Sequence, residues 1–171
     1  MANKRIRELP SYKYIISFLQ YFPETGKLLW INVPQRSKIK IGDEAGCLKL
    51  SDGYRYAQIG GCCVMVHRIV WFMTYGEWPT KYIDHINRVR DDNRISNLRL
   101  ANEFQNSWNQ KIQKRNTSGY RGVHWRKVDK KWCAVIFANK KAKYLGLFNS
   151  KESAATAYNS AAKKYFAEYA P

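Results

Sequence analysis

The chain predicts an α+β fold in two segments, and three observations carry that prediction. Short apolar runs alternate with polar residues and are cut by Gly- and Asp-containing turns, the mark of short antiparallel strands. Two stretches, around residues 66–76 and 149–169, instead carry helical spacing. "RNTSG", residues 115–119, holds turn residues without an apolar anchor and divides two regions of different charge.

In chain order, "SYKYIISFLQYF" (11–22) reads as a short amphipathic helix beginning at Ser11. "PETG" makes a turn and "KLLWINV" a strand. "GDEAGCLKLSDGYRYAQIGGCCVMV" gives two or three strands separated by "SDG" and "GG" turns. Val66, Ile69, Val70 and Met73 then share one helical face, with Gly76 as C-cap. After "EWP", "KYIDHI" is extended, "NRVRDDNRISN" is a polar loop, and "NLRLANEFQNSWNQKIQK" has helical composition. Beyond the linker, three β-rich runs are separated by "KVDKK" and "ANKK" turns. A final helix starts at Asn149 or Ser150, with Glu152 in its first turn. Its small stripe of Ala154, Ala157, Tyr158 and Ala161 is suited to close packing on a sheet.

Composition narrows the class of function. With 45% hydrophobic and 15% aromatic residues, the 171-residue chain can bury a core. No run approaches the ~18–20 apolar residues of a membrane span, and the basic start lacks a signal-peptide apolar region; a cytoplasmic protein is expected. Cys47, Cys62, Cys63 and Cys133 form no CxxC pair, so reduced, buried thiols are expected and structural zinc is not. Lys and Arg number 30 against 13 acids, a net charge of +17. Residues 1–110 hold 16 basic and 10 acidic side chains, net +6; residues 111–171 hold 14 and 3, net +11. Such an excess, mixed with aromatic residues, points to nucleic acid as partner.

The pair Asp84-His85 ends an apolar run and is the candidate chemical centre. Phosphodiester hydrolysis needs an activated water and an offset for the charge on phosphate and leaving oxygen; a histidine and a hard cation serve those needs. Asp84 offers a carboxylate, His85 a base, and Asn106 a further oxygen ligand. Oxygen donors suit Mg²⁺ or Mn²⁺ better than zinc. A structural pair at a turn edge is the alternative. His67, at the start of an apolar helix, reads as structural or capping, and Trp30, Trp71 and Trp78 as core.

The run "IDHINRVRDDNRISNLR" followed by "EFQN", with "GDEAG…DGYRYAQI…VHRIVWFMTYGEWP" before it, resembles the phage and intron-encoded homing branch of the HNH nucleases over roughly residues 20–110. The resemblance implies a ββα-metal unit at about 80–112. It makes His85 the general base, Asp84 and Asn106 ligands of one Mg²⁺ (or Mn²⁺), and Asn97 the asparagine that ties the loop and orients the histidine. Many relatives carry glycine after "HIN" where this chain has Arg88. The turn is therefore expected to take another form that spares arginine a positive φ, leaving Arg88 and Arg90 on the DNA backbone. Arg94 and Arg99 flank the motif and are expected either to clamp phosphates or to stand solvated at the surface.

Residues 118–170, with "YRGV", "YLGLF" and "ESAATAYNSAA", resemble the AP2 DNA-binding domain. The resemblance implies a three-stranded sheet in the major groove, backed by one helix. Arg121, His124, Arg126 and Tyr144 would face DNA, with Lys131, Lys141 and Lys143 on phosphates. Trp132, Ala134 and Ile136 would face the helix, and Val135 and Phe137 the DNA.

The expected organisation is a nuclease domain over 1–114, a linker at 115–119 and an AP2-like domain over 120–171. The expected function is nicking of double-stranded DNA by a monomer, leaving 5′-phosphate and 3′-hydroxyl ends. Neither membrane nor small-molecule substrate is expected. The alternative is a non-catalytic, sequence-specific DNA-binding protein on a degenerate HNH scaffold.

Overall fold

The computed structural model describes residues 8–169, apart from residues 36, 111, 113, 114, 139 and 140 and the side chain of residue 168. It is a mixed α/β structure of small antiparallel sheets in two compact units, Met1–Asn102 and Glu103–Pro171. The division falls upstream of the 115–119 linker and groups residues 103–114 with the second unit.

In the first unit, helix α1 (Tyr12–Phe18) starts at Ser11, whose side chain accepts the Tyr14 N–H at 3.3 Å. The helix stops at Phe18, four residues short of the expected end. Leu19–Phe22 is instead strand β1, paired with β2 (Lys27–Trp30) around the "PETG" turn. Leu19, Leu28 and Trp30 send their side chains into the core, and that burial outweighs continuation of the helix. Strands β3 (Cys47–Lys49), β4 (Tyr54–Ile59) and β5 (Cys62–Met65) form an antiparallel meander.

Helix α2 (Val66–Tyr75) follows directly, and Gly76 at φ 80° closes it with its N–H on Phe72 O. Val66, Ile69, Val70 and Phe72 are buried against Ile15, Leu28, Ala57 and Ile83 in one core. Trp30 is buried there; Trp71 and Trp78 pack against it partly exposed. Strand β6 (Tyr82–His85) pairs with β7 (Leu98–Ala101), which the composition had suggested as helix. Between them residues 86–94 loop out, and a 3-10 turn over Ile95–Asn97 leads back.

The second unit opens with the short helix α3 (Glu103–Trp108), whose Trp108 stacks on Phe166 at 4.1 Å. Strands β8 (Val123–Arg126), β9 (Lys131–Ala138) and β10 (Lys141–Phe148) form a sheet in the order β10-β9-β8. Helix α4 (Lys151–Phe166), capped by Ser150 on Ser153 N, covers one face. Its buried stripe is Ala154, Ala155, Tyr158, Ala162 and Phe166, rotated from the expected one: Ala155 and Ala162 are buried while Ala157 and Ala161 are half-buried. The small residues bring α4 close to buried Ala134, Ile136 and Ala138 of β9. The "ANKK" turn includes Asn139 and Lys140, which lie outside the described residues.

All four cysteines are free. Only Cys133 is fully buried; Cys47 and Cys63 are exposed, because each sits on an outward position of a short strand, against the expectation of buried thiols. Among the described residues, no helix is long and apolar enough to cross a membrane.

Candidate active site

The motif residues of the first unit gather where β6 ends. Asp84 and His85 are only 6% and 4% exposed, so neither is a surface accident of the turn. Being neighbours on a strand, they face opposite sides. Asp84 lies across from Arg99 in the β6–β7 register, and its Oδ2 accepts both Arg99 Nε and Nη2 at 2.8 Å. Arg99, expected as a phosphate clamp or a solvated surface group, thus spends its guanidinium on the candidate ligand carboxylate.

His85 turns toward a small ring cluster. Its imidazole meets that of His67, on α2, edge-on at 5.2 Å and 89°, with Tyr54 of β4 at 5.8 Å from His85 and 5.2 Å from His67. His67 makes no side-chain cap for α2; it packs against the His85 ring. Burial pushes His67 down to about 3, helped by the neighbouring His85 and Arg68 charges. Burial also lowers His85, against the opposing pull of Asn93 and Asp84, so its neutral, proton-accepting form is favoured.

The loop between the strands is held by side chains. Asn97 Oδ1 accepts Asn87 N–H at 3.0 Å and its Nδ2 donates to Asp92 O at 2.9 Å, joining both ends of the loop. Its backbone O takes the Ile86 N–H at 2.9 Å. Arg94 binds Asp92 through two parallel bonds of 2.8 and 2.6 Å, holding that carboxyl down to about 2. Arg90 donates to Asp52 O at 2.7 Å and lies over the Tyr54 ring at 4.9 Å.

Arg88 corrects an expectation. Its φ is +63°, the left-handed region, so the turn keeps the form that glycine would favour. The turn closes through Arg88 N–H on His85 O at 2.9 Å, and Asn87 Oδ1 takes Val89 N–H at 2.8 Å. These bonds impose the conformation despite the side chain.

Several supports escaped sequence reasoning. Arg55 of β4 clamps Asp91 with bonds of 2.9 and 3.1 Å and reaches Gly46 O at 3.0 Å, tying the loop to the meander. Tyr21 of β1 accepts Ile95 N–H at 2.8 Å and donates to Asn93 O at 3.1 Å. Gly26 lets the β1–β2 turn approach the same loop; a Cβ there would stand 2.6 Å from Arg94 N. A lone Tyr or Arg in an alternating strand gives no local signal of such a task. Asn93, buried at 3% exposure, has no such signal either, since Asn87 is the amide closer to His85 in the sequence.

Among the described residues, no three His, Cys, Asp or Glu side chains gather as a metal-binding group. Asp84 supplies the hard oxygen of the type Mg²⁺ accepts; that ion typically keeps several waters and binds through one or two carboxylates and substrate phosphates. The donor chemistry fits a hard cation completed by substrate and does not fit a thiolate or imidazole cage. Asn106 is half-buried on α3, in the second unit.

In the second unit, residues opposite one another on adjacent strands share a face. His124 pairs with Cys133, Arg126 with Lys131, and Tyr144 with Val135; these side chains and Phe137 occupy the face away from α4. Phe137 and Tyr144 are 56% and 59% exposed. Trp132, Ala134 and Ile136 take the helix side. Lys141 and Lys143 pair with buried Ala138 and Ile136 and so start from the helix side; the Lys143 ammonium sits 4.9 Å from the Tyr165 ring. Arg121 donates to Gln110 O, and to Ser107 O at 3.5 Å, bracing the end of α3. Arg126 pairs with Asp129 at 2.8 Å.

Residues 64–107 match the family model described as HNH endonuclease, a stretch that runs from the end of β5 through His85 and Asn97 to Asn106. Protein 3.8 of Escherichia phage T7 is 41% identical over 76 residues, 44% of this chain and 63% of that protein. An uncharacterised HNH endonuclease of Acanthamoeba polyphaga mimivirus is 33% identical over 110 residues, 63% of this chain and 56% of the relative. The chain spans about six-tenths of the length of these curated relatives. No solved structure matches it. An HNH endonuclease domain is therefore present over residues 64–107.

Proposed function

We propose that the protein is a metal-dependent DNA endonuclease of the HNH homing type, nicking double-stranded DNA, with the C-terminal unit acting as an AP2-like positioning domain. The observation that carries this reading is the buried Asp84-His85 pair at the end of β6, with Asn97 joining both ends of the adjoining loop, inside the stretch that matches the HNH family.

In this reading His85, kept neutral by its burial, takes a proton from the water that attacks phosphorus. Asn97 fixes the loop so that the imidazole stands in one place. Asp84 would be a ligand of one Mg²⁺ or Mn²⁺, which when bound supplies charge stabilisation for the phosphate and the departing 3′ oxygen. Arg88 and Arg90 at the loop, and His124, Arg126, Lys131 and Tyr144 on the open sheet face, contact DNA. The net charge of +17 favours that encounter, and tethering raises the local concentration of nuclease at a bound site. One site per chain makes a single-strand nick by a monomer the natural product.

A second reading, a non-catalytic DNA-binding protein on an HNH scaffold, is favoured by the Arg99 guanidinium on Asp84. A supercoiled-plasmid assay with Mg²⁺, Mn²⁺ or EDTA separates the two. Nicking that needs a divalent ion and is lost in His85→Ala supports the nuclease; an intact plasmid under every condition leaves the scaffold reading.

A further inference from the structure

Asn93 sits between the loop and the candidate base, and its amide is held in a defined sense. It is 3% exposed. Its Nδ2 donates to Asp91 O at 3.2 Å, and its backbone O accepts the Tyr21 hydroxyl at 3.1 Å. Its Oδ1 lies 3.4 Å from His85 Nε2. A carbonyl such as Asp91 O can only accept, so the nitrogen of the amide must face it and the oxygen must face the imidazole. An amide oxygen can only accept as well, so a hydrogen bond between the two requires the hydrogen on Nε2.

We propose that Asn93 is a positioning residue for His85: its amide oxygen holds the imidazole as the Nε2–H tautomer and so places the basic lone pair on Nδ1. The proposal rests on the reading of His85 as general base. His67 and Tyr54 limit how the ring can turn, and the Tyr21 hydroxyl, which also takes Ile95 N–H, fixes the backbone from which Asn93 reaches in. Asn97 and Asn93 divide the work. Asn97 spends its amide on Asn87 N and Asp92 O and shapes the loop, whereas Asn93 meets the ring itself. The 3.4 Å separation is long for such a bond, as catalytic hydrogen bonds often are before substrate binds. A histidine whose second nitrogen is fixed by a buried partner presents the first in one tautomer and one direction, as ligating and catalytic histidines require.

The test is long-range proton–nitrogen NMR of the isotopically labelled full chain at neutral pH, which reads the His85 tautomer without any need for activity. It is paired with nicking kinetics. Wild type is expected to show the Nε2–H pattern. Asn93→Ala should show mixed tautomers, with kcat lowered about 10–100-fold and KM for DNA unchanged. Asn93→Asp, which keeps an oxygen at the same place, should recover the Nε2–H pattern and part of kcat. A wild-type Nδ1–H pattern overturns the proposal whether or not the alanine variant folds, and so does an Asn93→Ala spectrum and kcat equal to wild type. Failure of the nuclease reading is separate: wild type then leaves plasmid intact while its tautomer is still read.

Discussion

Arg99 places both Nε and Nη2 on a single carboxylate oxygen of Asp84, each at 2.8 Å, across the β6–β7 ladder. The side chains are 15% and 7% exposed, so the pair is largely withdrawn from water. Removing one member leaves a buried charge without its counterion, a loss of about 3–5 kcal/mol in comparable pairs. Arg99→Met should therefore unfold at clearly lower urea concentration. The double change Asp84→Leu with Arg99→Met should cost less than the sum of the two single changes. Denaturation of the four proteins gives the coupling directly; strict additivity would mean the pair contributes nothing.

This contact also marks where sequence reasoning stops. The α+β class, a run of two or three short strands before α2, α2 with its Gly76 cap and the β8–β10 sheet under α4 were legible, because each follows from local periodicity and turn chemistry. The β7 strand was not legible from composition: "NLRLA" suits a helix as well, and only pairing with β6 decides. In the first unit, the motif singled out Asp84, His85 and Asn97, but not the partners that fix their environment. Arg55 and Tyr21 stand 36 and 74 residues from the loop positions they bind. Such pairings arise from how the sheets pack, and a single sequence carries no sign of them.

Arg88 at φ +63° carries a cost that glycine would not. For an L-residue the left-handed conformation costs about 1–2 kcal/mol, partly offset in glycine by its larger unfolded-state entropy. Arg88→Gly is expected to raise the unfolding free energy by about 0.5–1 kcal/mol. If Arg88 touches phosphate, the same variant binds DNA more weakly, with a salt slope reduced by about 1. Thermal unfolding and a salt titration of binding read the two effects independently.

His67 makes stability depend on pH. In the unfolded chain it takes up a proton as pH falls through its ordinary 6.5, while in the folded protein it stays neutral down to about 3. The unfolded state binds more protons across that window, so stability rises with pH and is lost on acidification. The slope from one such group is at most about 1.4 kcal/mol per pH unit. His67→Leu should flatten the dependence between about pH 4 and 6. Urea denaturation across that range checks it; an unchanged slope would show that other groups set it.

The two faces of the C-terminal sheet separate lysines that look alike in sequence. Lys131 pairs with Arg126 on the face away from α4, whereas Lys143 pairs with buried Ile136 and lies over Tyr165 of α4. If the open face is the one that meets DNA, Lys131→Gln should weaken binding across sequences and reduce the salt slope by about 1, the signature of one lost phosphate contact. Lys143→Gln should leave the slope unchanged and instead lower stability by about 0.5–1 kcal/mol through loss of its contact with the Tyr165 ring. Salt-dependent binding to duplex DNA, measured beside thermal unfolding for both variants, decides the matter. Equal effects of the two lysines on the slope would place DNA against the sheet edge instead of its open face.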